Sequence, residues 1–510
     1  MKKLRSIMFV GTGSDVGKSV INTGFCRIFL QDGYSPAPFK AQNMSLNSYP
    51  TPDNLEIGRA QAVQAEACGI DCAVEMNPVL LKPTGNSVSQ VILNGKPAGN
   101  KSAREYFNET DRDILFTEVM RSFERLADRY NPIVIEGAGS ISEINLREKD
   151  IVNMRVALHT GAATFLIADI DKGGVFASVY GTLQLLPEVE RDAIKGIIIN
   201  KFRGDISLFD DGKKILEELT GKPVIGIVPY CKGLFIEQED GVVIEKKKTA
   251  FKPGKINIGV VLLKHLSNFT DFNMLEWVPA VNLFYSDNPE ILSQADMIII
   301  PGSKNTLSDL KILREKGLDR TILTHHHNGK PVYGICGGYQ MMGEEVRDPD
   351  GVEGDIPSLP GLGILPVVTT LAEGKQTRQC RFSFIGSGIS GEESEISEEG
   401  YEILGEGYDV SGEGYEIHAG YTPSNRPLCR MENGETDGYF LNGKTWGTYI
   451  HGIFDNVPVI KKVLHQINPA ISVTVDYKTR KEEGYNQLAD VIRENVDMEY
   501  VYKCLMEIEN

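Results

Sequence analysis

Short apolar runs of strand length alternate with helical patterns along the first half of this chain. The runs cover residues 7–10, 133–135, 164–167, 196–199 and 224–228, and most lead into Gly, Asp, Glu or Asn and then a polar or amphipathic stretch. Such alternation predicts βαβ units around a parallel sheet. From residue 235 to 255 the chain turns polar and charged, with Glu237-Gln238-Glu239-Asp240 and Lys246-Lys247-Lys248, before a new strand-like run at 256–263. A domain boundary belongs there. The second half repeats the logic at 297–300, 331–335 and 447–450. The pattern therefore predicts two α/β domains, residues 1–240 and 252–475, followed by a charged helical tail over 476–510 that suits a capping helix. Residues 386–414 are acidic and glycine-rich, with near-repeats Tyr401-Glu402-Ile403, Tyr408-Asp409-Val410 and Tyr415-Glu416-Ile417 in or beside them. So few short copies read as an inserted hairpin or surface loop without chemistry, not as a repeat fold.

A length of 510 residues allows two to four domains with sizeable cores. The charge balance, 53 Lys+Arg against 70 Asp+Glu for a net −17, makes the average surface repel phosphate backbones and anionic membranes. Neither nucleic acid nor a membrane is expected as a partner. Eight Cys are scattered without a Cys-x2-Cys pair, as in a protein with reduced thiols in a cytoplasm. The apolar stretch at 7–10 is too short for a signal sequence, and no uncharged run approaches the roughly 20 residues of a membrane span.

The first apolar run ends in Gly11-Thr12-Gly13-Ser14-Asp15-Val16-Gly17-Lys18-Ser19, and an amphipathic helical stretch follows. Small residues there let backbone N–H groups point at phosphates, Lys18 neutralises the β- and γ-phosphate oxygens, and Ser19 can ligate Mg²⁺. The spacing departs by one residue from the common G-x4-G-K, position 12 being Thr. This half is expected to bind ATP with Mg²⁺. The run at 133–135 delivers Glu136-Gly137-Ala138-Gly139-Ser140, and an acid at the carboxyl end of a parallel strand stands where Mg²⁺ is held against phosphates. Asp169 and Asp171 end the next run, and Asp169 is a further metal candidate with an N-cap role as its alternative. Asn200-Lys201 closes the run after that, where Asn200 reads a base edge or turns the chain.

The spacing variant of the phosphate loop, the segment Phe39-Lys40-Ala41-Gln42-Asn43-Met44-Ser45 and the turn Glu136-Gly137-Ala138-Gly139 together resemble the dethiobiotin synthetase-like ATPases. The resemblance implies carboxyl activation by ATP, with Lys40 helping to hold phosphate and substrate. Lys82, in Asn77-Pro78-Val79-Leu80-Leu81-Lys82-Pro83, is a similar candidate for a substrate carboxylate.

In the second half, the run at 331–335 leads into Cys336-Gly337-Gly338-Tyr339-Gln340. A nucleophile between glycines on a strand-to-helix turn tolerates a strained backbone, and the N–H groups that follow favour a thiolate and an oxyanion. Downstream, Gly447-Thr448-Tyr449-Ile450-His451-Gly452-Ile453-Phe454 is a strand ending in His451, a base for Cys336. These segments resemble the class I glutamine amidotransferases, in which a Cys takes the γ-glutamyl group and releases ammonia. Pro301-Gly302-Ser303-Lys304-Asn305-Thr306 resembles that family's oxyanion loop, which implies Gly302 and Gly337 amides as donors. The family's His-x-Glu is His451-Gly452-Ile453 here. Glu416 or His418 is the candidate for the absent third member.

An ATP site beside an ammonia-releasing site reads as glutamine-dependent amidation of a carboxylic acid through an acyl phosphate. Residues 39–48, Glu56-Ile57-Gly58-Arg59-Ala60-Gln61-Ala62, Asn200-Lys201-Phe202-Arg203-Gly204-Asp205 and Ser267-Asn268-Phe269-Thr270-Asp271-Phe272 resemble the cobyrinic acid amidotransferases over nearly the whole chain. That resemblance implies the b, d, e and g carboxylates of adenosylcobyrinic acid a,c-diamide as substrate, in cobalamin biosynthesis, with one glutamine and one ATP consumed for each. The alternatives are amidation of the earlier a and c carboxylates, or an ATPase switch with a degenerate amidotransferase domain. The fold class is thus α/β, a P-loop NTPase-type parallel sheet followed by a class I glutamine amidotransferase-type domain. A polyanionic substrate calls for a locally basic cleft, with Lys40, Lys82 and Arg59 as candidates. Cobalt should arrive inside the substrate, with no protein ligand for it, and a homo-oligomer is compatible with all of this. His325-His326-His327 is not expected to bind metal, because three adjacent ring directions on a helix cannot converge. Cys68 and Cys72 should pack rather than ligate.

Overall fold

The apolar runs of the first half become strands covered on both faces, which is why they lack polar alternation. Strands β1 (Ile7–Gly11), β2 (Ala37–Phe39), β3 (Ile133–Glu136) and β4 (Ala163–Asp169) are buried at every position. With β5 (Ile194–Phe202) and β6 (Val224–Pro229) they form one parallel sheet in the order β6-β5-β4-β1-β3-β2. The chain leaves β1 with β3 on one side and β4 on the other, so the carboxyl end of β1 opens at the point where strand order reverses. Helix α1 (Lys18–Gln31) starts there.

This computed structural model describes residues 2–85, 88–102, 105–106, 112–231, 233, 237, 251–385, 410–474 and 476–506. They divide into two compact units: Met1–Ser45, Leu55–Asp240 and Lys478–Asn510 form the first, Leu46–Asn54 and Gly241–Tyr477 the second. Two features of that division escape the linear pattern. Residues 46–54, inside the N-terminal half, are counted with the second unit, and residues 478–506 are built into the first. Among the described residues no helix is long and apolar enough to cross a membrane.

The charged C-terminal helices Tyr477–Asn495 and Met498–Met506 carry an apolar face that their overall polarity hides. Tyr485, Leu488, Ala489 and Ile492 join the core formed by Phe9, Phe25, Phe29 and Phe165, where the Phe9 and Phe25 rings lie 4.7 Å apart. Arg493 adds a 2.7 Å pair with Asp32, and Arg27 pairs with the half-exposed Glu482 at 3.0 Å. Exposed pairs of this kind contribute little, so the apolar contact holds the helix down.

In the second unit β7 (Ile256–Val261), β8 (Val281–Ser286), β9 (Met297–Ile300), β10 (Val332–Ile335), β13 (Tyr439–Asn442) and β14 (Thr445–Thr448) form a sheet ordered β8-β7-β9-β10-β14-β13. All neighbours are parallel except the β13–β14 edge. Both halves thus carry the expected α/β architecture. The β8 strand was not anticipated, and the last parallel strand ends at Thr448 rather than running to residue 450. A further sheet is built around β11 (Val368–Phe384) paired antiparallel with β12 (Ser411–Tyr421). Tyr415-Glu416-Ile417, grouped by sequence with a surface loop, is the buried middle of β12. Tyr401, Tyr408 and residues 386–409 in general lie outside the described residues, as does the Lys246-Lys247-Lys248 run.

Ile492, fully buried against α1, gives the direct check on the role of the C-terminal helix. Ile492→Ala should lower the stability of the first unit by about 2–5 kcal/mol, read as a shifted denaturant midpoint at unchanged slope, whereas Glu482→Ala should change it by less than about 0.5 kcal/mol.

Candidate functional site

At the mouth of β1 the phosphate loop bends sharply: Asp15 and Gly17 have φ of 57° and 95°. A Cβ at Gly17 would stand 2.2 Å from the Asn200 amide, so only glycine admits the neighbouring strand there. Asn200 Nδ2 donates to the Val16 carbonyl at 2.8 Å, and Lys201 Nζ donates to the Asp15 carbonyl and pairs with Asp169 at 2.9 Å. The Asn-Lys pair at the end of β5 therefore braces the loop from the side. Lys18 Nζ donates to the carbonyls of Gly13 and Gly139, at 2.9 and 2.8 Å, which places its ammonium inside the loop.

Glu136, only 1% exposed, ends β3 facing that loop. One of its oxygens accepts from Ser19 Oγ at 2.9 Å and from Lys40 Nζ at 2.7 Å, and the other accepts from Gln64 Nε2 at 2.6 Å. Gln64 comes from helix α2 (Arg59–Ala67). Burial by itself would raise the carboxyl; the Lys40 ammonium, with Gln64 and Ser19, overcomes it and holds the group below its ordinary range. Ser19 and Glu136 thus present adjacent hard oxygens, the small protein share that Mg²⁺ takes when phosphates and water complete its shell. Asp169 is differently engaged. One oxygen accepts from the Asp171 N–H at 2.8 Å and the other faces Lys201, so its local fit is to an Asx turn and an ion pair. Asp171 in turn pairs with Arg203.

The expectation of a basic cleft changes here. Lys82 is 3% exposed and pairs with Glu56 at 2.7 Å, and Arg59 makes a fork onto Glu237 at 2.6 and 2.9 Å. With Lys40 on Glu136, each of the three candidate cations already meets a buried carboxylate. Unpaired cations are costly to bury, which is the reason the sequence pattern of Lys and Arg does not translate into free positive charge.

In the second unit Cys336 stands at the turn between β10 and helix α4 (Gly337–Met342), with φ 49° and ψ −110°. Its N–H donates to the Thr448 carbonyl at 2.8 Å, which ties the nucleophile turn to β14. His451, three residues beyond β14, is 1% exposed and has Cys336 near it on one side, the thiol itself standing 3.8 Å from the Ile417 carbonyl. On the other side its Nδ1 lies 2.7 Å from Asp271 Oδ2, while Asp271 Oδ1 accepts from Gly452 N–H at 3.0 Å. Burial by itself would lower the imidazole; Asp271 and Cys336 reverse it and push His451 up to about 10. The group that meets His451 is therefore Asp271, far upstream in the turn Phe269–Phe272, and not Glu416 or His418. Glu416 faces Arg378 instead, although burial still raises its carboxyl. His418 stacks on Tyr449 at 3.8 Å, turns its Nδ1 to the Gly420 carbonyl at 3.2 Å, and is pushed down to about 3 by burial. With Asp271 in place, the absent His-x-Glu no longer argues for a degenerate domain.

Gly302 and Gly337 flank the thiol. A Cβ at Gly302 would lie 3.2 Å from His451 Cε1, and one at Gly337 would lie 2.8 Å from the Ser303 nitrogen, so the two backbones converge on one small space. Asp309, fully buried in helix α3 (Thr306–Glu315), holds the loop by accepting from Ser303 Oγ at 2.7 Å and contacting His265 Nδ1 at 2.9 Å. Gln340 fixes the far side, accepting from Thr306 Oγ1 at 2.9 Å and donating to the Ala419 carbonyl at 3.1 Å.

Among the described residues no group of three or more His, Cys, Asp or Glu side chains is arranged to hold a metal. His325 is buried and its imidazole is pushed down to about 4, chiefly by burial. Cys68 and Cys72 are buried thiols, Cys68 beside Cys26 in the first core. Sequence reasoning missed Asp271, Gln64 and Asp309. Of the three, only Asp271 lies in a stretch that the sequence marks, Ser267–Phe272, and it is marked by family likeness rather than by its carboxylate.

Residues 7–243 match the CobQ/CobB/MinD/ParA nucleotide binding domain, and residues 257–459 match the CobB/CobQ-like glutamine amidotransferase domain. A protein of Parabacteroides distasonis named cobyric acid synthase is 53% identical over 98% of this chain and 99% of its own length. Another of that name from Bacteroides fragilis is 54% identical over 99% of each chain, and one from Salmonella agona is 44% identical over 99% of each. Among solved structures, the chain is similar to a crystal structure of a glutamine amidotransferase at 18% identity and a TM-score of 0.28, over 46% of this chain and 98% of that one. With full-length relatives at this identity, the chain belongs to the cobyric acid synthase family.

Proposed function

We propose that this chain amidates the b, d, e and g carboxylates of adenosylcobyrinic acid a,c-diamide to give adenosylcobyric acid, using ATP and glutamine. The observation that carries the reading is the buried His451–Asp271 pair beside the Cys336 turn, in a chain that matches a cobyric acid synthase over 98% of its length. In the second unit the Cys336 sulfur attacks the γ-carboxamide carbon of glutamine and forms a C–S bond. The Gly302 and Gly337 amides receive the negative charge that develops on oxygen. The C–N bond then breaks with a proton from His451, releasing ammonia, and water activated by His451 hydrolyses the thioester to glutamate. Asp271 keeps the imidazole in the tautomer and plane that both proton transfers need.

In the first unit a substrate carboxylate oxygen attacks the γ-phosphorus of ATP, and ADP leaves. Ammonia then attacks the acyl phosphate carbon and phosphate departs, leaving the amide. Lys18 holds the phosphates against the backbone of the loop. Lys40, paired with Glu136, holds that carboxylate ionised beside the phosphate loop. Ser19 and Glu136 are the residues that would hold Mg²⁺, which supplies neutralisation of phosphate charge when bound. Lys82 takes a structural part through Glu56.

The decisive assay is mass spectrometry of adenosylcobyrinic acid a,c-diamide incubated with ATP, Mg²⁺ and either glutamine or ammonium. Cys336→Ala should lose glutamine-dependent amidation by more than about 10³-fold and keep the ammonium-dependent reaction within about twofold. No amidation by the wild type with either nitrogen source would remove the corrinoid assignment. Asp271→Asn should lower kcat for glutamine by about 10²–10⁴. Because Asp271 raises the imidazole, the same change should move the high-pH limb of the glutamine profile, set near 10 by His451, to lower pH. Glu136→Gln should abolish amidation from both nitrogen sources while leaving glutamate release detectable.

A further inference from the structure

Residues 46–54 belong to the N-terminal half in sequence but are counted with the second unit, and their chain runs in from Ser45 and out into Leu55 of the first. This strap reaches both members of the His451–Asp271 pair by separate routes. Ser48, fully buried, donates its N–H to Asn268 Oδ1 at 3.1 Å. Asn268 has a left-handed φ of 50°, and its carbonyl accepts from Asp271 N–H at 3.1 Å, so the Ser48 bond bears on the turn that aims Asp271. The next residue takes the other route. The Tyr49 ring meets Tyr415 edge-on at 4.8 Å, and the Tyr415 ring stacks on His451 at 5.3 Å and 21°. Tyr415 and His451 also exchange both backbone hydrogen bonds, at 3.0 and 2.8 Å. Gln379 Nε2 pins the strap one residue further, donating to the Pro50 carbonyl at 2.9 Å.

An imidazole held at Nδ1 by Asp271 can still swing about that bond. What fixes its plane is the aromatic face behind it, and that face is Tyr415 backed by Tyr49. A shift of about 1 Å in such a group costs on the order of 10²-fold in rate.

We propose that residues 46–54 are a positioning strap for glutamine cleavage: Tyr49 holds the plane of His451 through Tyr415, and Ser48 aims Asp271 through Asn268. A rearrangement in the N-terminal half, such as occupation of its ATP and corrinoid sites, then reaches the thiol chemistry along the covalent chain. The proposal rests on the reading of Cys336, His451 and Asp271 as a glutamine-cleaving site.

The test measures glutamate release by the full-length protein with and without ATP-Mg²⁺ and adenosylcobyrinic acid a,c-diamide, alongside ammonium-dependent amidation. In the wild type, glutamate release should rise when ATP and the corrinoid are added. Tyr49→Ala should lower kcat for glutamine by about 10- to 100-fold, with KM changed by less than about threefold and the stimulation lost, while ammonium-dependent amidation stays at the wild-type rate. Tyr49→Phe, which keeps the ring, should restore most of kcat. Asn268→Gly keeps the positive φ and deletes the acceptor oxygen, and it should reproduce the defect through Asp271. The strap role is overturned if both variants keep the wild-type ratio of glutamine- to ammonium-dependent rates. Equal losses with both nitrogen sources, or a rise in KM at unchanged kcat, overturn it as well. A wild type that amidates with ammonium but releases no glutamate overturns the glutamine-cleaving reading itself.

Discussion

Glu136 and Asp271 are ionisable carboxylates with almost no access to water, and each must be met in place by a cation or by hydrogen-bond donors. That requirement organises both centres. Around Glu136 it gathers Ser19 from the phosphate loop, Lys40 from the end of β2 and Gln64 from α2, residues with no common motif. Around Asp271 it gathers His451 and the Gly452 N–H, and so makes a base out of an imidazole that burial alone would have kept neutral. The same rule appears at Glu56 with Lys82, at Glu237 with Arg59, and at Asp309 with Ser303 and His265. Removing a partner leaves a buried carboxylate short of a contact it needs, which makes these networks stiff. Stiffness is what a phosphate loop and an oxyanion loop need.

The two chemistries are written on the same kind of scaffold. In each unit a parallel sheet brings the carboxyl ends of its strands to one edge, and the reactive residues sit on the turns there. Backbone that side-chain-bearing residues rarely adopt marks both places: Gly17 at φ 95° before α1, and Cys336 at φ 49° before α4. A helix start follows each, α1 after Gly17 and α4 after Cys336. The strap at 46–54 adds a covalent run that begins and ends in one unit and packs in the other.

Much of this was legible along the chain. The runs that became β1, β3, β4, β5, β6, β9 and β10 are apolar at nearly every position, and a strand covered on both faces needs nothing more to declare itself. The phosphate loop and the Cys336 turn are equally local, since close backbone approach demands small residues at fixed spacing. What failed to show were features whose cause lies elsewhere in the fold. The charged helix Tyr477–Asn495 reads as a capping tail that follows the second domain, and its place in the core of the first does not show because its apolar face, Tyr485, Leu488, Ala489 and Ile492, is diluted by polar neighbours. Tyr415-Glu416-Ile417 reads as part of a loop because the residues before it are acidic and glycine-rich, yet it is the middle of a buried strand.

By itself the sequence determined the class of architecture and the two glycine-rich turns, at Gly11–Ser19 and at Cys336, because each depends on residues that are neighbours in the chain. Only the tertiary structure decided that Asp271 rather than Glu416 or His418 meets His451, that Lys82 and Arg59 are spent on buried carboxylates, and that Tyr49 stands behind Tyr415. Those are pairings between residues far apart in sequence, chosen by which groups are desolvated together. Desolvation is a property of the packed fold and leaves no spacing in the chain to read.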